Sequence, residues 1–154
     1  MNSHSGLYKG INKFTEGFMR VFEIVRIDSR GRIILPSSIR DSVGLPKGMY
    51  VMLIADLDKK EIRITPFADP EAKLVEFHIE LLDVPGALAH AAAILAENGV
   101  DLLSTESRTL RRGKVAEWCV IADVSKCKCE LKELKRRIEE SDVVGRVELR
   151  GFPP

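Results

Sequence analysis

Leu74-Val75-Glu76-Phe77-His78-Ile79-Glu80-Leu81-Leu82, running into Asp83-Val84-Pro85-Gly86, is the stretch whose reading decides the fold. Val75, Phe77, Ile79 and Leu81 alternate with Glu76, His78 and Glu80, and a period of two predicts a strand with one apolar face. Pro85 and Gly86 break it. Ala87 to Glu97 then reads as a helix with Leu88, Ala92 and Leu95 on one stripe, stopped at Asn98-Gly99. Val100 to Leu110 reads as a strand, Arg111-Arg112-Gly113-Lys114 as a hairpin turn, and Val115 to Val124 as the returning strand. Cys127 to Glu140 reads as a helix with Leu131, Leu134 and Ile138 inward and Glu133 paired with Arg137 one turn on. Val143 to Leu149 closes the series. The order βαββαβ predicts a ferredoxin-like α+β sandwich over residues 74–152.

Working outward toward the N-terminus, residues 68–73 follow Pro66 and hold Asp69 and Pro70, so the region reads as a short stiff linker. Before it, residues 22–67 read as a small β-rich module. Phe22 to Ile27 is expected as a strand, Asp28 to Gly31 as a turn, and Arg32 to Leu35 as a second strand. Pro36 suits the first turn of a short helix, Ser37 to Val43, that ends at Gly44. Met49 to Leu57 and Glu61 to Thr65 form a hairpin around Asp58-Lys59-Lys60. A unit of this size is near the limit at which a lone apolar core suffices, so an obligate, intertwined dimer is expected. Residues 1–21, with scattered aromatics at Tyr8, Phe14 and Phe18, read as an N-terminal arm with at most a short helix.

Composition sets further bounds. The chain has 154 residues, 45% hydrophobic and 31% charged, which suits a soluble globular protein. No apolar run approaches the roughly 20 residues of a membrane-spanning helix, and the first residues lack the apolar core of a secretory signal. Three cysteines, an odd number, fit reduced thiols in a cytoplasm better than a disulfide framework. The net charge of +1 hides an asymmetry: residues 1–67 carry 11 Lys and Arg against 7 Asp and Glu, and residues 68–154 carry 13 against 16. The first half is therefore +4 and the second −3. Only the basic half favours a nucleic acid.

Ile27-Asp28-Ser29-Arg30-Gly31-Arg32-Ile33-Ile34-Leu35-Pro36, with Ile39-Arg40, Val43-Gly44-Leu45 and the closing Ile62-Arg63-Ile64-Thr65-Pro66-Phe67, resembles the AbrB/SpoVT family of swapped-hairpin DNA-binding domains. The resemblance implies two interlaced chains whose arginines contact double-stranded DNA. Those positions fall on Arg26, Arg32 and Arg40, with Arg30 an additional base in the turn. In many family members a second basic residue follows the arginine of the short helix; here Asp41 follows Arg40.

Leu82-Asp83-Val84-Pro85-Gly86-Ala87-Leu88 and Leu95-Ala96-Glu97-Asn98-Gly99-Val100-Asp101-Leu102 are similar to an ACT domain. This resemblance covers residues 74–152 and implies a small effector, an amino acid or related carboxylate, bound where two copies meet. The implied ligand positions are Asp83, Val84, Gly86, Ala87 and Leu88, with Val100 and Asp101 from the second strand. Backbone N–H groups at a helix start suit a carboxylate, and a glycine there permits close approach.

No catalytic constellation is evident. There is no Ser/His/Asp arrangement, phosphate-binding glycine loop or pair of catalytic carboxylates, so neither an enzyme nor a cofactor is expected. Cys127 and Cys129, two apart on a helix, should point away from each other, and no further Cys or His spacing completes a zinc site. Cys119 beside Trp118 is expected in the core, His78 on an exposed strand face, and His90 on a solvated helix position. The expectation is a dimeric or higher homo-oligomeric DNA-binding regulator that senses a small effector, with no membrane partner. An antitoxin-like interaction module, or an allosteric subunit of a biosynthetic enzyme, are the competing readings. The folded C-terminal half disfavours the first competitor, and the arginine-rich N-terminal half disfavours the second.

Overall fold

A computed structural model describes residues 9–12 and 20–152. The chain divides into two compact units, Met1–Pro66 and Phe67–Pro154.

In the first unit, β1 (Lys9–Asn12) pairs antiparallel with β2 (Arg20–Glu23), Lys9 opposite Glu23 and Asn12 opposite Arg20. A short strand therefore stands where an arm with at most a helix was expected; Tyr8, Phe14 and Phe18 lie outside the described residues. Two further expectations are corrected. Ile24 to Ile27 and Arg32 to Leu35 belong to no strand. A strand exists only where a neighbour takes its N–H and C=O groups, and among the described residues β2 finds such a neighbour only in β1. The turn between them forms as expected: Gly31 N–H donates to the Asp28 carbonyl at 3.0 Å, and Asp28 N–H to the Arg32 carbonyl at 2.9 Å.

Helix α1 spans Ser37–Val43, follows Pro36, and ends at Gly44 with φ 69°, the left-handed stop its sequence implies. Strands β3 (Tyr50–Asp56) and β4 (Glu61–Ala68) form the expected hairpin. β4 runs farther than Thr65, carrying Pro66 and Phe67 within the strand. Proline is tolerated on an edge that needs no donor. The turn comes later, where Ala72 N–H donates to the Asp69 carbonyl at 3.1 Å. Among the described residues of this unit, Leu45 is the one buried apolar side chain, while Ile34, Leu57 and Ile62 are 84%, 85% and 74% exposed.

The second unit is built differently. Strand β5 (Leu74–Leu82) lies between β7 (Val115–Asp123) and β8 (Val144–Gly151), and β6 (Asp101–Arg111) pairs outside β7. The sheet order is β6-β7-β5-β8, antiparallel throughout, with α2 (Ala87–Glu97) and α3 (Leu131–Glu139) in the crossovers. This is the βαββαβ order of an ACT-type α+β unit. The alternation of β5 decides its core: Phe77 and Ile79 are fully buried with Val120, Leu134, Ile138 and Val147. Burial of such side chains contributes ~1.5–3 kcal/mol each.

Two helix readings need correction. On α2 the buried stripe is Ala87, Ala91 and Leu95, while Leu88 is 40% exposed. Small residues at a spacing of four let the helix lie close to the sheet and turn Leu88 outward. Helix α3 begins at Leu131, so Cys127 and Cys129 precede it in an irregular segment. That segment crosses the end of α2. Gly99 N–H donates to the Ala96 carbonyl, and Val100 N–H to the Leu95 carbonyl at 3.1 Å, an αL helix stop with Val100 and Leu95 both buried. Lys128 N–H donates to the Asn98 carbonyl at 2.9 Å, and Arg137 Nη1 to Asn98 Oδ1 at 2.7 Å. These bonds hold residues 126–128 over α2 and delay the helix.

Gly99 and Gly113 both have positive φ, 76° and 69°. A Cβ at Gly99 would stand 2.6 Å from the Lys126 carbonyl oxygen, whereas one at Gly113 meets nothing within 4 Å. Gly113→Ala should cost ~1–2 kcal/mol from backbone strain alone. Gly99→Ala should cost clearly more, because the crossing segment must also shift. Urea unfolding of both variants checks this ranking.

Candidate functional site

The loop between β5 and α2 is built by the sheet's end. Asp83 N–H donates to the Lys114 carbonyl at 3.3 Å, and Val84 N–H to the Leu82 carbonyl at 2.9 Å. Gly86 takes φ 89° and opens α2, where His90 N–H closes the first turn onto the Gly86 carbonyl. A Cβ at Gly86 would meet nothing within 4 Å. Its glycine is therefore required by backbone conformation, and the space above it is open. At the start of α2 the Ala87 N–H donates to the Val84 carbonyl at 3.2 Å, and beside this turn lies a cleft of about 210 Å³ lined by Asp83, Val84, Ala87, Leu88, Arg108 and Thr109 among others.

Asp83 is engaged within its own subunit. Its Oδ1 accepts from Thr109 Oγ1 at 3.2 Å and its Oδ2 from Gly113 N–H at 2.6 Å, so it pins the β6–β7 turn to the loop. Val84 and Leu88 are 46% and 40% exposed beside exposed Leu82, while Ala87 is buried. Apolar side chains thus rim the cleft. Val100 is buried beneath the end of α2, and Asp101 begins β6 opposite Asp123. The strand separates Asp101 from Thr109 by roughly 25 Å. One chain brings Asp83, Val84, Gly86, Ala87 and Leu88 together and places Val100 and Asp101 at the other end of the sheet. His90 is exposed on α2.

In the first unit the arginines gather around the Asp28–Gly31 turn. Asp28 Oδ1 accepts the N–H groups of Arg30 and Arg32, and Arg32 adds Nε at 2.9 Å and Nη2 at 2.8 Å to Oδ2. The Arg32 amide, then its guanidinium, hold the Asp28 carboxyl below the usual carboxylate range. Arg26 and Arg30 are exposed and make no ion pair among the described residues. Arg40 donates from Nε to the Leu35 carbonyl at 3.2 Å and from Nη1 to the Leu45 carbonyl at 3.4 Å, bracing both ends of α1. Arg26 and Arg30 are thus free to meet an anion, whereas Arg32 and Arg40 have intramolecular partners to leave.

Sequence reasoning missed a cluster on the sheet face away from the helices. Trp118 is buried and Cys119 takes the opposite face, correcting the expectation that Cys119 lies in the core. There Cys119 stands across from His78, and its Sγ is 3.3 Å from His78 Nδ1. The signal was present in the alternation itself, because a strand that buries Trp118 must turn Cys119 outward. Glu117 shares that face and is held by Arg108 at 2.9 Å from Nε and 2.6 Å from Nη2.

The Asp83 clasp has a measurable consequence. Asp83→Ala should release the Gly113 amide and cost ~1 kcal/mol, the usual net worth of a hydrogen bond. Hydrogen exchange should quicken at Gly113 and stay unchanged at Phe77 in the core.

No protein-family model matches the chain. The chain is similar to a UPF0735 ACT domain-containing protein of Shouchella clausii (strain KSM-K16), with 26% identity over 138 residues, or 89% of this chain and 88% of that protein. The alignment is longer than the second unit and so takes in part of the first. Among the described residues, no helix is long and apolar enough to cross a membrane. The βαββαβ order of the second unit agrees with the ACT domain in the name of this distant relative.

Proposed function

We propose that this chain is an effector-responsive regulator whose second unit takes an amino acid or related small carboxylate between two copies, and whose first unit pairs with its own copy to bind double-stranded DNA. The observation that carries the sensing half is the cleft at the start of α2, with exposed Leu82, Val84 and Leu88 around it. An apolar rim of this kind suits a subunit contact. Two antiparallel copies side by side would bring Val100 and Asp101 of one to the Asp83–Leu88 loop of the other, across the distance that one chain cannot close. Asp83 serves as loop scaffold in this arrangement. Asp101, exposed at the start of its strand, meets the ammonium of the effector.

The DNA half rests on the arginines and on the want of a core. A unit with Leu45 as its one buried apolar residue among those described gains most of its missing burial from a second copy. Pairing doubles Arg26, Arg30, Arg32 and Arg40 on one surface. Phosphate would draw Arg32 away from Asp28, exchanging one anion for another, so Arg26 and Arg30 supply the larger electrostatic gain.

The full chain should bind duplex DNA with a slope of log K against log salt of about −4 to −7, as expected if about 5–8 phosphates are neutralised. Salt-insensitive binding, or binding untouched by Arg26→Ala with Arg30→Ala, would sink the DNA half. A thermal-shift screen of the amino acids against the full chain tests the other half. A cognate effector at 100 times its dissociation constant stabilises by ~2.7 kcal/mol, and Asp101→Ala should lose most of that shift. If calorimetry gives the same effector affinity with and without DNA, the two units act independently, since linkage requires reciprocal coupling of about 1–3 kcal/mol.

A further inference from the structure

We propose that His78, Glu117 and Cys119 form a binding site for a borderline divalent cation, with zinc as the type, on the open face of the second unit's sheet. One ligand atom from each residue lies within 4.8 Å of the others, and theirs is the one such group among the described residues. Strand register produces the group. His78 on β5 stands opposite Cys119 on β7, and Glu117 is two residues before Cys119 on the same face. Spacing along the chain conceals it, because the two halves are about forty residues apart in sequence.

The distances suit a tetrahedral ion. Bonds of about 2.3 Å to sulfur and about 2.0 Å to nitrogen place those two atoms about 3.5 Å apart at a tetrahedral angle; Sγ and Nδ1 are 3.3 Å apart. The carboxylate closes the remaining gap by side-chain rotation. A thiolate, a carboxylate and a neutral imidazole together balance a charge of two. The far side of the ring is provided for as well. Glu76 Oε1 lies 3.1 Å from His78 Nε2, a buried atom that makes no aligned hydrogen bond. Metal-bound histidines are commonly oriented by a carboxylate on their other nitrogen, and a small turn of Glu76 supplies that bond.

Charges of both signs surround the group. Glu106 faces Cys119 from β6, and Glu148 faces His78 from β8 but is ion-paired with Arg146 at 2.7 Å and lies 3.9 Å from Arg150. Arg108 holds one oxygen of Glu117, leaving the second oxygen for the ion. Burial first, and neighbouring carboxylates next, push the Cys119 thiol up. A bound cation reverses this and deprotonates the sulfur. The ion would then tie β5 to β7 with three protein ligands and leave its fourth position to Glu106 or water.

Cobalt(II), a spectroscopic stand-in for zinc, tests the site on the full-length chain cleared of metal. We expect one cobalt per chain and a thiolate-to-cobalt charge-transfer band. Cys119→Ser should abolish the band, and His78→Gln should weaken binding by about 100-fold or more. Glu76→Gln should weaken it about 10- to 100-fold while keeping the band. The double variant Cys127→Ser, Cys129→Ser should behave as the parent chain. No band at all, a band that survives Cys119→Ser, or a band lost only in the double variant would overturn the site. X-ray absorption on the zinc-loaded parent chain needs no variant: one sulfur with nitrogen and oxygen supports the proposal, and two sulfurs or none refutes it.

Discussion

The two faces of β5 are the constraint on which the second unit depends. Val75, Phe77, Ile79 and Leu81 can be buried only if α2 and α3 lie on their side of the sheet. That choice leaves Glu76, His78 and Glu80 on the opposite side. A shift of the strand by one residue would exchange the faces entirely, so core and open face are fixed by one register. β5 also sits between β7 and β8, and its end delivers the loop that starts α2. The cleft at that loop and the cluster at His78 are thus two outcomes of the same strand, one at its end and one on its back.

The two units solve the burial problem in different ways. The second gathers large side chains into a common core and closes the end of α2 with Gly99, Asn98 and the crossing segment. The first has comparable apolar content but exposes it: Ile24, Ile27, Ile34, Leu53 and Ile62 all face outward. Hairpins of this length are marginal by themselves in water. Its arginines are held by local contacts, Arg32 on Asp28 and Arg40 on backbone carbonyls, which give the turn and α1 a defined shape without a core. Exposed ion pairs add little stability. Among its described residues the unit therefore leaves most large apolar side chains without an intramolecular cover.

Legibility in the sequence followed how local the determining forces were. β5, α1 and α2 were readable to the residue because alternation, Pro36, Gly44, Gly86 and Asn98-Gly99 act within a few positions. The start of α3 was not, because Lys128 is held by bonds to Asn98 and Glu97 about thirty positions earlier. Helical spacing continued through it and misled the reading. β1 was unreadable for a similar reason: Lys9–Asn12 has no apolar alternation and is a strand only because β2 is beside it. The loop positions Asp83 to Leu88 were found by motif. Their separation from Val100 and Asp101 appears only once strand direction is known. Cys119 was placed in the core by its neighbour Trp118, although the same alternation that buries Trp118 expels it.

Glu117 connects the features that the two faces would otherwise separate. It lines both the cleft beside Asp83, where Arg108 also stands, and the pocket lined by His78. Arg108 carries two hydrogen bonds to one oxygen of that carboxylate, and these hold its charge in place at the sheet's edge. A carboxylate entering the cleft would compete with Glu117 for Arg108, while a cation at His78 would take the oxygen of Glu117 that Arg108 leaves open. Drawing Arg108 away would leave more charge on Glu117 for the cation, and a bound cation would weaken the hold of Glu117 on Arg108. Opposite charges bound on either side of this ion pair would therefore favour each other.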